Sequence, residues 1–408
     1  MSISVLTTRV PAAAGDETGG APAFQNAAVL FGFLNEKMVP AETISVCGDL
    51  IAAALQGGVI HQRFCRVDED NWNITLFLTA CGSSHYNKEA GGSSAAGRTP
   101  IQMSLSEPRV SIVILNWNSY QVTLDCLLSL RKMDYRNFEV VLVDNGSVDD
   151  SPARLLKNVP EIRLIRNATN LGFAGGCNAG IRDAIHRGTD YILLLNNDTI
   201  VAPDFLSQLV RIAGSDEKIG AVSPKILFFD HPERLNYAGG EHRRWRLFPK
   251  VFGLRQLDDG RYNKIREVSF LTGCAFLIKA EVVRKIGVLE EVYFHFYEDI
   301  EWSLRVLKAG YKTMYVPWSV IWHKEHYVTD KNQENGFIEF HLARANMIFA
   351  RKHVPLKLWP FKMPFFGAWM VYRTLVFSSR RDWQKVLSLY KGFWAGCFLK
   401  LPKEETKV

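Results

Sequence analysis

Apolar stretches typical of β-strands alternate with stretches of helical spacing from residue 110 onward. The apolar stretches cover residues 110–115, 138–143, 162–165 and 191–195. Between them, the spacing predicts helices over 120–132, over 149–158 and from a glycine-rich segment to about residue 186. This alternation predicts an α/β fold in which helices flank both faces of a Rossmann-like, mostly parallel sheet. Ligands of such sheets bind at the carboxyl ends of the strands.

Polar residues follow the first, second and fourth predicted strands, at positions 116–118, 144–147 and 196–198. Asp144 is suited to accept a hydrogen bond from a base or a ribose hydroxyl, and a plain Asp/Asn-Gly turn explains it equally well. A carboxylate such as Asp198 at the end of a buried strand is costly unless it is paired or bound to metal. Mg²⁺ or Mn²⁺ takes one or two carboxylates together with substrate phosphate oxygens. The alternative for Asp198 is a turn residue that caps a helix starting near Pro203.

The glycine-rich segment 170–178 enters the third predicted helix. Free backbone N–H groups at such a helix start are suited to bind a phosphate. The segment lacks the G-x-G-x-x-G spacing that follows the first strand of dinucleotide-binding folds. Close packing of the helix on the sheet is an equally good explanation of these glycines.

The second half of the chain holds further candidate residues. Residues 270–278 read as a strand broken by Gly273, and residues 293–302 place aromatic side chains directly before Glu298 and Asp299. These carboxyl groups lie at the start of a predicted helix that ends at Gly310, where they either complement the helix dipole or supply a general base. His323 ends the apolar run 319–323. A histidine there is more often structural, although imidazole also binds Mn²⁺.

Positive charge is concentrated in the last part of the chain. Residues 341–408 contain 13 Lys and Arg against three acidic residues and are rich in aromatics, whereas the preceding 340 residues sum to −3 of the total +7. Basic and aromatic residues together suit an anionic membrane surface, and no nucleic-acid-binding motif accompanies them. We predict an interfacial segment over 356–378, limited in helix continuity by Pro360 and Pro364, with its lysine side chains, including Lys362, reaching water. Docking of this region on the catalytic domain is the alternative.

Residues 1–108 carry no recognisable chemistry. We predict a helix over 42–55, a strand over 73–78 and a flexible linker over 91–97. The seven cysteines are scattered without a Cys-x-x-Cys pair, which argues against a disulfide scaffold and a cysteine zinc site. The start of the chain does not have the pattern of a secretory signal, and no apolar run of about 18 residues predicts a membrane span.

Seven segments in order resemble the family 2 glycosyltransferases, and within them the bacterial rhamnosyltransferase-like group. They are residues 110–118, Val-Asp-Asn-Gly-Ser at 143–147, Asn-Leu-Gly-Phe-Ala at 170–174, Leu-Leu-Asn-Asn-Asp at 194–198, Thr-Gly-Cys at 272–274, Tyr-Glu-Asp at 297–299 and Trp-His at 322–323. The resemblance covers about residues 108–355. It implies a GT-A fold and an inverting transfer from a nucleoside-diphosphate sugar, with rhamnose as the candidate sugar.

The resemblance also implies a role for each matching residue. Asp299 would be the catalytic base, and the adjacent Glu298 would be a second catalytic residue. The residues that would bind the donor nucleotide are Asn116, Asn118, Asp144, Asn145, Ser147, Asn170, Gly172 and Asn197. The residues at the donor–acceptor junction would be Thr272, Gly273 and Cys274. The ligands of a Mg²⁺ or Mn²⁺ ion would be Asp198, His323 and Asn196, with Asn196 standing where the family motif begins with Asp.

These expectations divide the chain into an N-terminal extension (1–108), a catalytic domain (109–340) and a basic, aromatic, helical C-terminal region (341–408). The expected acceptor is a lipid-linked glycan used in cell-surface polysaccharide synthesis at the cytoplasmic face of the membrane. No nucleic acid partner is expected. One alternative is a nucleotidyltransferase, which would require a phosphate-binding signature with Lys or Arg after the first strand. The other is an inactive sugar-nucleotide-binding module.

Overall fold

The computed structural model describes the backbone of three strands near the N-terminus and residues 107–243, 248–325 and 336–401. The chain divides into two compact units, 1–102 and 103–408. The helix predicted over 42–55 and the linker predicted over 91–97 lie outside the described residues.

The N-terminal unit contains a small sheet of β1 (Ile3–Arg9), β2 (Gln62–Asp68) and β3 (Asn73–Ala80). β3 lies in the middle, parallel to β1 and antiparallel to β2. The strand predicted over 73–78 is therefore confirmed.

The second unit is built on a large mixed sheet with helices around it. Its strands are β4 (Val110–Asn116), β5 (Phe138–Asp144), β6 (Arg163–Arg166), β7 (Tyr191–Asn196), β8 (Thr199–Val201), β9 (Ile219–Phe228), β10 (Leu235–Tyr237), β11 (Gly240–Glu241), β12 (Lys250–Val251), β13 (Arg266–Val268), β14 (Ala275–Lys279) and β15 (Lys312–His323). Its helices are α1 (Tyr120–Leu130), α2 (Ser151–Asn158), α3 (Gly172–His186), α4 (Phe205–Gly214), α5 (Ala280–Ile286), α6 (Glu298–Lys308), α7 (Phe337–His353), α8 (Trp359–Ser379) and α9 (Trp383–Phe398).

The sheet runs in the order β13-β15-β9-β14-β7-β4-β5-β6, with β10 on β9 and β8 on β15. β7, β4, β5 and β6 are mutually parallel, and β14 joins them antiparallel to β7 and β9. The apolar runs of β4, β5 and β7 are buried almost throughout, because helices cover both faces of the parallel strands. The predicted α/β fold with a mostly parallel, helix-flanked sheet is confirmed.

Gly273 interrupts the stretch 270–278 as predicted, and the regular strand β14 begins only at Ala275. The C-terminal region is helical, as predicted, but α8 continues through Pro364. Pro360 stands in the first turn, where no intrahelical N–H bond is required. Pro364 follows it by four residues, so the missing N–H leaves only one more carbonyl near the helix start without its bond. The expected interruption of this helix is therefore wrong.

Lys362 of α8 also differs from expectation. Lys362 does not reach water: it is 1% exposed, its Nζ lies 5.8 Å from the centroid of the Phe349 ring, and burial lowers its pKa to about 8. Arg373 forms an ion pair with Glu339 of α7 at 3.0 Å. Both side chains therefore contact α7, and for Lys362 the prediction that it reaches water is wrong.

The helix α7 ties the C-terminal region to the sheet. Ala345, Ile348 and Phe349 belong to the main hydrophobic core, and α8 packs on α7 through Phe366 and Met370. Within the stretches that the structure describes, no helix is long and apolar enough to cross a membrane.

Candidate active site

The parallel strands bring four polar residues to one edge of the sheet. Asn116 of β4 pairs with Asp144 of β5, Asp144 pairs with Arg166 of β6, and Asn196 of β7 stands opposite Leu115. This alignment follows from parallel pairing, since the carboxyl ends of neighbouring parallel strands meet at the same edge.

Asp144 and Asn116 are both buried at this edge, in different roles. The Oδ1 atom of Asp144 accepts a hydrogen bond from the N–H of Ser147, and its Oδ2 atom lies 3.3 Å from Nε of the exposed Arg166. The Asn116 side chain is fully buried, where it donates to Ser151 and accepts from Thr123. Asn116 thus connects β4 to α1 and α2, and its amide does not line the cleft.

Asn118 and Ser147 join the loops that follow β4 and β5. Asn118 adopts a left-handed backbone with φ of 49°, and its N–H donates to the Ser147 hydroxyl. The Asn118 carbonyl oxygen Oδ1 accepts from the N–H of Val148. These bonds set the shape of the rim beside Asp144.

The glycine-rich segment is held by an asparagine network. Asn145 donates to the Oδ1 atom of Asn170 and to the carbonyl of Gly172, and its own Oδ1 accepts from the N–H of Leu171. Gly172 has φ of +73°, and a Cβ atom there would lie 2.5 Å from the carbonyl oxygen of Phe294. A side chain is therefore excluded at this position on both conformational and steric grounds.

Asp198 and His323 lie side by side. Strand β8, which follows Asp198 directly, pairs antiparallel with the end of β15, so that His323 stands opposite Thr199. The Nε2 atom of His323 lies 3.1 Å from Oδ1 of Asp198, and Lys324 donates its N–H to the Asp198 carbonyl. The sheet pairing thus brings together two residues that the sequence places far apart.

The electrostatics of this pair favour opposite charges. Burial opposes a charged imidazole, but the neighbouring Cys274 and Asp198 together raise the pKa of His323 well above its usual range. Burial also raises the pKa of the Cys274 thiol, which is therefore neutral. We attribute the raised pKa of His323 to the Asp198 carboxylate.

The loop of Thr272, Gly273 and Cys274 connects this pair to Asp299. The Cys274 carbonyl accepts a hydrogen bond from the N–H of Asn196, two residues before Asp198. One residue earlier, the N–H of Gly273 donates to Oδ2 of Asp299 at 2.9 Å. The loop therefore contacts the end of β7, two residues before Asp198, through Cys274, and contacts Asp299 through Gly273.

Asp299 and Glu298 begin α6 in different surroundings. Asp299 is half-buried and also accepts from the N–H of Ile300; burial raises the pKa of its carboxyl group, although these two hydrogen bonds oppose the shift. Glu298 is buried with its Oε2 atom lacking a hydrogen-bond partner within the described parts of the chain. Burial, and next the charge of Asp299, raise the pKa of Glu298 well above its usual range. Glu298 also adds to the raised pKa of the buried Cys177 thiol in α3.

A cavity of about 840 Å³ lies against this edge of the sheet. Its sheet side is lined by Asn145, Asn170, Gly172, Asn196, Asn197 and Asp198. The amide of Asn197 is held by a hydrogen bond to Thr123. Asp299 and His323 do not line this cavity; Phe173 does, and a Cβ at Gly273 would lie 3.2 Å from the Phe173 ring. The cavity thus adjoins the loop that carries Asp299.

An aromatic wall, absent from the sequence-based prediction, forms the other side of the cavity. Its members are Phe173, Phe294, His295, Phe337, Phe340 and His341. His341 stacks on Phe294 with centroids 4.9 Å apart, and burial lowers the pKa of both His295 and His341 to about 4, so that both are neutral.

The backbone beside this aromatic wall adopts unusual conformations. Phe294, Phe296 and Tyr297 all have positive φ, an arrangement that costs energy for non-glycine residues and is concentrated at functional sites. The aromatic run before Glu298 was the available sequence signal, but the contribution of α7 depends on tertiary packing.

The comparisons with known proteins agree with this geometry. Residues 111–287 match the model of the family described as Glycosyl transferase family 2. This segment is a family 2 glycosyltransferase domain. The chain is 25% identical over 288 residues to the N-acetylglucosaminyl-diphospho-decaprenol L-rhamnosyltransferase of Mycobacterium tuberculosis, covering 65% of this chain and 92% of that protein. It is 22% identical over 280 residues to the dTDP-rhamnosyl transferase RfbF of Shigella flexneri, covering 66% and 88%.

A solved structure with partial similarity is the mannosyltransferase PcManGT from Pyrobaculum calidifontis in complex with GDP-Man and Mn²⁺. It has 16% sequence identity and a TM-score of 0.46, covering 72% of this chain and 88% of that one. The predicted family and its rhamnosyltransferase-like character are confirmed, and the sheet of the glycosyltransferase domain is mostly parallel and flanked by helices, as the predicted fold class requires.

The donor set of the glycosyltransferase domain fits a Mg²⁺ or Mn²⁺ ion that shares its coordination with a substrate. The Oδ1 atom of Asp198 is buried with no hydrogen bond in the described regions besides its ion-pair contact with His323, and the Nδ1 atom of His323 is buried without a hydrogen-bond partner. Over the same regions, no cluster of three or more His, Cys, Asp or Glu side chains is suited to hold a metal alone. One carboxylate and one imidazole, which must release its proton to bind the ion, leave positions for the phosphate oxygens and waters that these ions prefer.

Proposed function

We propose that the glycosyltransferase is an inverting enzyme that moves a sugar from a nucleoside-diphosphate donor to a hydroxyl of a lipid-linked glycan. The observation that carries this proposal is the Thr272–Cys274 loop, which joins Asp299 at one end to the Asp198–His323 pair at the other. A single displacement needs a base on the acceptor side and charge compensation on the donor side. The contacts of this loop with both groups support their proposed use in one reaction.

Asp299 is the proposed general base. Its raised pKa makes the carboxylate a better proton acceptor than an ordinary aspartate, and the Gly273 and Ile300 N–H groups hold its two oxygens in place. It removes the proton of the acceptor hydroxyl as the oxygen attacks the anomeric carbon opposite the leaving diphosphate. No covalent intermediate forms, so the anomeric configuration is inverted.

Asp198 and His323 are the proposed ligands of Mg²⁺ or Mn²⁺, with Asn196 as a neutral third candidate. When bound, the ion supplies Lewis-acid compensation for the charge of the leaving diphosphate. Asn145 and Asn170 orient the glycine-rich segment toward the donor. Asp144 and Arg166 form the part of the donor site that is proposed to bind the nucleoside. The half-buried loops of Asn118, Ser147 and Asn197 shape the same rim.

The relatives suggest the first substrates to test. One is named for transfer from a dTDP-linked rhamnose and another for transfer of L-rhamnose to N-acetylglucosaminyl-diphospho-decaprenol. We propose the same classes here, dTDP-rhamnose as donor and a sugar linked through diphosphate to a prenyl chain as acceptor, in cell-surface polysaccharide synthesis.

We further propose that residues 341–408 bring residues 109–340, the catalytic domain, to the cytoplasmic face of the membrane. Exposed apolar side chains of α8 and α9 include Phe361, Phe365, Tyr372, Leu375, Trp383, Trp394 and Phe398. Arg380 and Arg381 lie exposed between the two helices. Apolar and basic residues on one surface favour anionic lipid.

The test is a transfer assay with purified protein, Mn²⁺ and N-acetylglucosaminyl-diphospho-farnesol against a panel of nucleotide sugars that includes dTDP-rhamnose. Magnetic resonance of the product gives the anomeric configuration. Retention of configuration would contradict the mechanism. Transfer of a nucleotidyl group would support the nucleotidyltransferase alternative, and donor binding without any turnover would support the binding module.

A further inference from the structure

One face of α9 completes the cavity opposite the sheet. Gln384, Leu387, Ser388 and Lys391 line it at positions i, i+3, i+4 and i+7, the spacing of a single helix face. The C-terminal region is therefore part of the cavity wall, although the donor-side residues all come from the sheet edge and its loops.

Close packing sets the position of this face. A Cβ atom at Gly392 would collide with the carbonyl oxygen of Phe340, and one at Gly396 would lie 2.6 Å from that of Arg344. The two glycines, four residues apart on α9, let its backbone approach that of α7. Lys391, adjacent to Gly392, is thereby held at the edge of the cavity.

Lys391 is the basic residue of α8 and α9 that lines the cavity. Lys385 pairs with Asp382 at 2.8 Å, and Arg351 donates to the carbonyls of Gly396 and Leu399. Lys391 has neither an ion pair nor a hydrogen bond within the described portions of the chain. An unpaired cation at the mouth of a cavity favours an anionic ligand group.

The same helix face continues beyond the cavity as an apolar stripe. Trp394 and Phe398, three and seven residues after Lys391, are 54% and 80% exposed and stack with ring centroids 5.6 Å apart. At 1.5 Å per residue, the stripe runs about 10 Å from Lys391. A ligand with an anionic group followed by an apolar chain would match this arrangement, in which the Lys391 cation is followed by the apolar side chains of Trp394 and Phe398.

We propose that this face of α9 binds the lipid diphosphate of the acceptor, with Lys391 contacting the phosphate and Trp394 and Phe398 carrying the first prenyl units. The proposal rests on the proposed function, because it names the acceptor end of the same cavity. The aromatic wall then faces the sugar that precedes the diphosphate, since aromatic rings offer flat apolar surfaces to such rings.

The first experiment measures binding without turnover. We expect full-length protein to bind farnesyl diphosphate more tightly than farnesol in calorimetric titration, and Lys391→Gln to weaken farnesyl diphosphate binding about tenfold. Lys400→Gln removes the same charge from an exposed position off the cavity and should change nothing. Equal binding by wild type and Lys391→Gln would overturn the proposal, whether or not the protein transfers sugar.

The second experiment separates the acceptor from the membrane as the source of phosphate. We expect Lys391→Gln to raise KM for N-acetylglucosaminyl-diphospho-farnesol about tenfold, with little change in kcat or in KM for neutral octyl N-acetylglucosaminide. Trp394→Ala with Phe398→Ala should remove the preference for a farnesyl over a shorter prenyl chain. An equal rise in both KM values, or a matching loss of binding to anionic vesicles with unchanged acceptor KM, would overturn it.

Failure of the proposed function is a separate outcome. Wild-type protein that binds farnesyl diphosphate through Lys391 but transfers no sugar from any nucleotide donor would contradict the transferase proposal and leave the lipid diphosphate site supported. If the wild-type protein transfers sugar but Lys391→Gln leaves the acceptor KM unchanged, the transferase proposal is supported and the lipid diphosphate site is contradicted.

Discussion

The Nε2 atom of His323 lies 3.1 Å from Oδ1 of Asp198, although 125 positions separate the two residues. The antiparallel pairing of β8 with the end of β15 produces this contact. The short strand β8 and the end of β15 thus bring the His323 imidazole to the carboxylate of Asp198, which lines the cavity.

If this pair binds a divalent ion, removing either member should weaken donor binding that depends on the ion. We expect His323→Ala and Asp198→Asn each to weaken dTDP binding in the presence of Mn²⁺ by about tenfold or more, with little change in its absence. Calorimetric titration of dTDP with and without Mn²⁺ measures this. His231, an exposed histidine beside Glu233, provides the control substitution His231→Ala. An unchanged Mn²⁺ dependence in both variants would refute the ligand assignment.

Replacing the proposed base should reduce turnover and leave donor binding intact. We expect Asp299→Asn to lower kcat about 10²–10⁴-fold, because the amide cannot accept the acceptor proton yet still accepts the Gly273 N–H bond through its oxygen. Steady-state transfer and dTDP titration together test this. Near-normal turnover would remove Asp299 from the role of base.

The raised pKa of Asp299 should appear in the pH profile of transfer. The base must be ionised, so activity is present above the raised pKa and is lost as pH falls through it. We expect the acidic limb of kcat/KM to lie above the pH of an ordinary aspartate. A limb at or below that ordinary value would contradict the assignment of this group.

Glu298 should affect stability more than it affects catalysis. Its folded-state pKa is raised, so the folded chain keeps a proton that the unfolded chain releases, and the free energy of unfolding falls as pH rises above the ordinary glutamate pKa. Glu298→Gln should therefore keep transfer within a fewfold range and flatten this pH dependence, as measured by denaturant unfolding from pH 4 to 8. A loss of turnover as large as in Asp299→Asn, with stability unchanged, would instead support a catalytic role for Glu298.

The approach of α9 to α7 should depend on Gly392. A methyl group there would meet the Phe340 carbonyl, so Gly392→Ala should lower the free energy of unfolding by about 1–3 kcal/mol and raise acceptor KM. Gly367 in α8 has open space around it, and Gly367→Ala should raise the free energy of unfolding by up to about 1 kcal/mol. A change in the free energy of unfolding that has the same sign in both variants would contradict the close packing of α9.

The exposed face of α8 should determine binding to anionic vesicles. Replacing Phe361, Phe365 and Leu375 by serine should reduce sedimentation with vesicles that contain phosphatidylglycerol, because these side chains are more than 60% exposed. Val148→Ser with Leu257→Ser changes exposed apolar residues elsewhere and provides the control. Equal loss in both variants would argue against a specific membrane surface.

Much of the fold follows from local pattern. The apolar runs before Asn116, Asp144 and Asn196 become buried parallel strands, because only elements covered on both faces can bury continuous apolar sequence. Parallel pairing then carries the residues after them to one edge. The helices α1, α2, α3 and α6 were likewise predictable from their spacing and from the carboxyl groups at the start of α6.

The sequence by itself thus determined the sheet, its helices and the segments from which a glycosyltransferase site is built, since these depend on period, burial and motif. The tertiary structure decided how single side chains are used. Asn116 points into the protein, Asp299 meets Gly273 while the adjacent Glu298 is buried, and Lys391 of the last helix lines the cavity. Successive helix residues point about 100° apart, and contacts between distant elements depend on packing. Local sequence patterns do not encode these relationships.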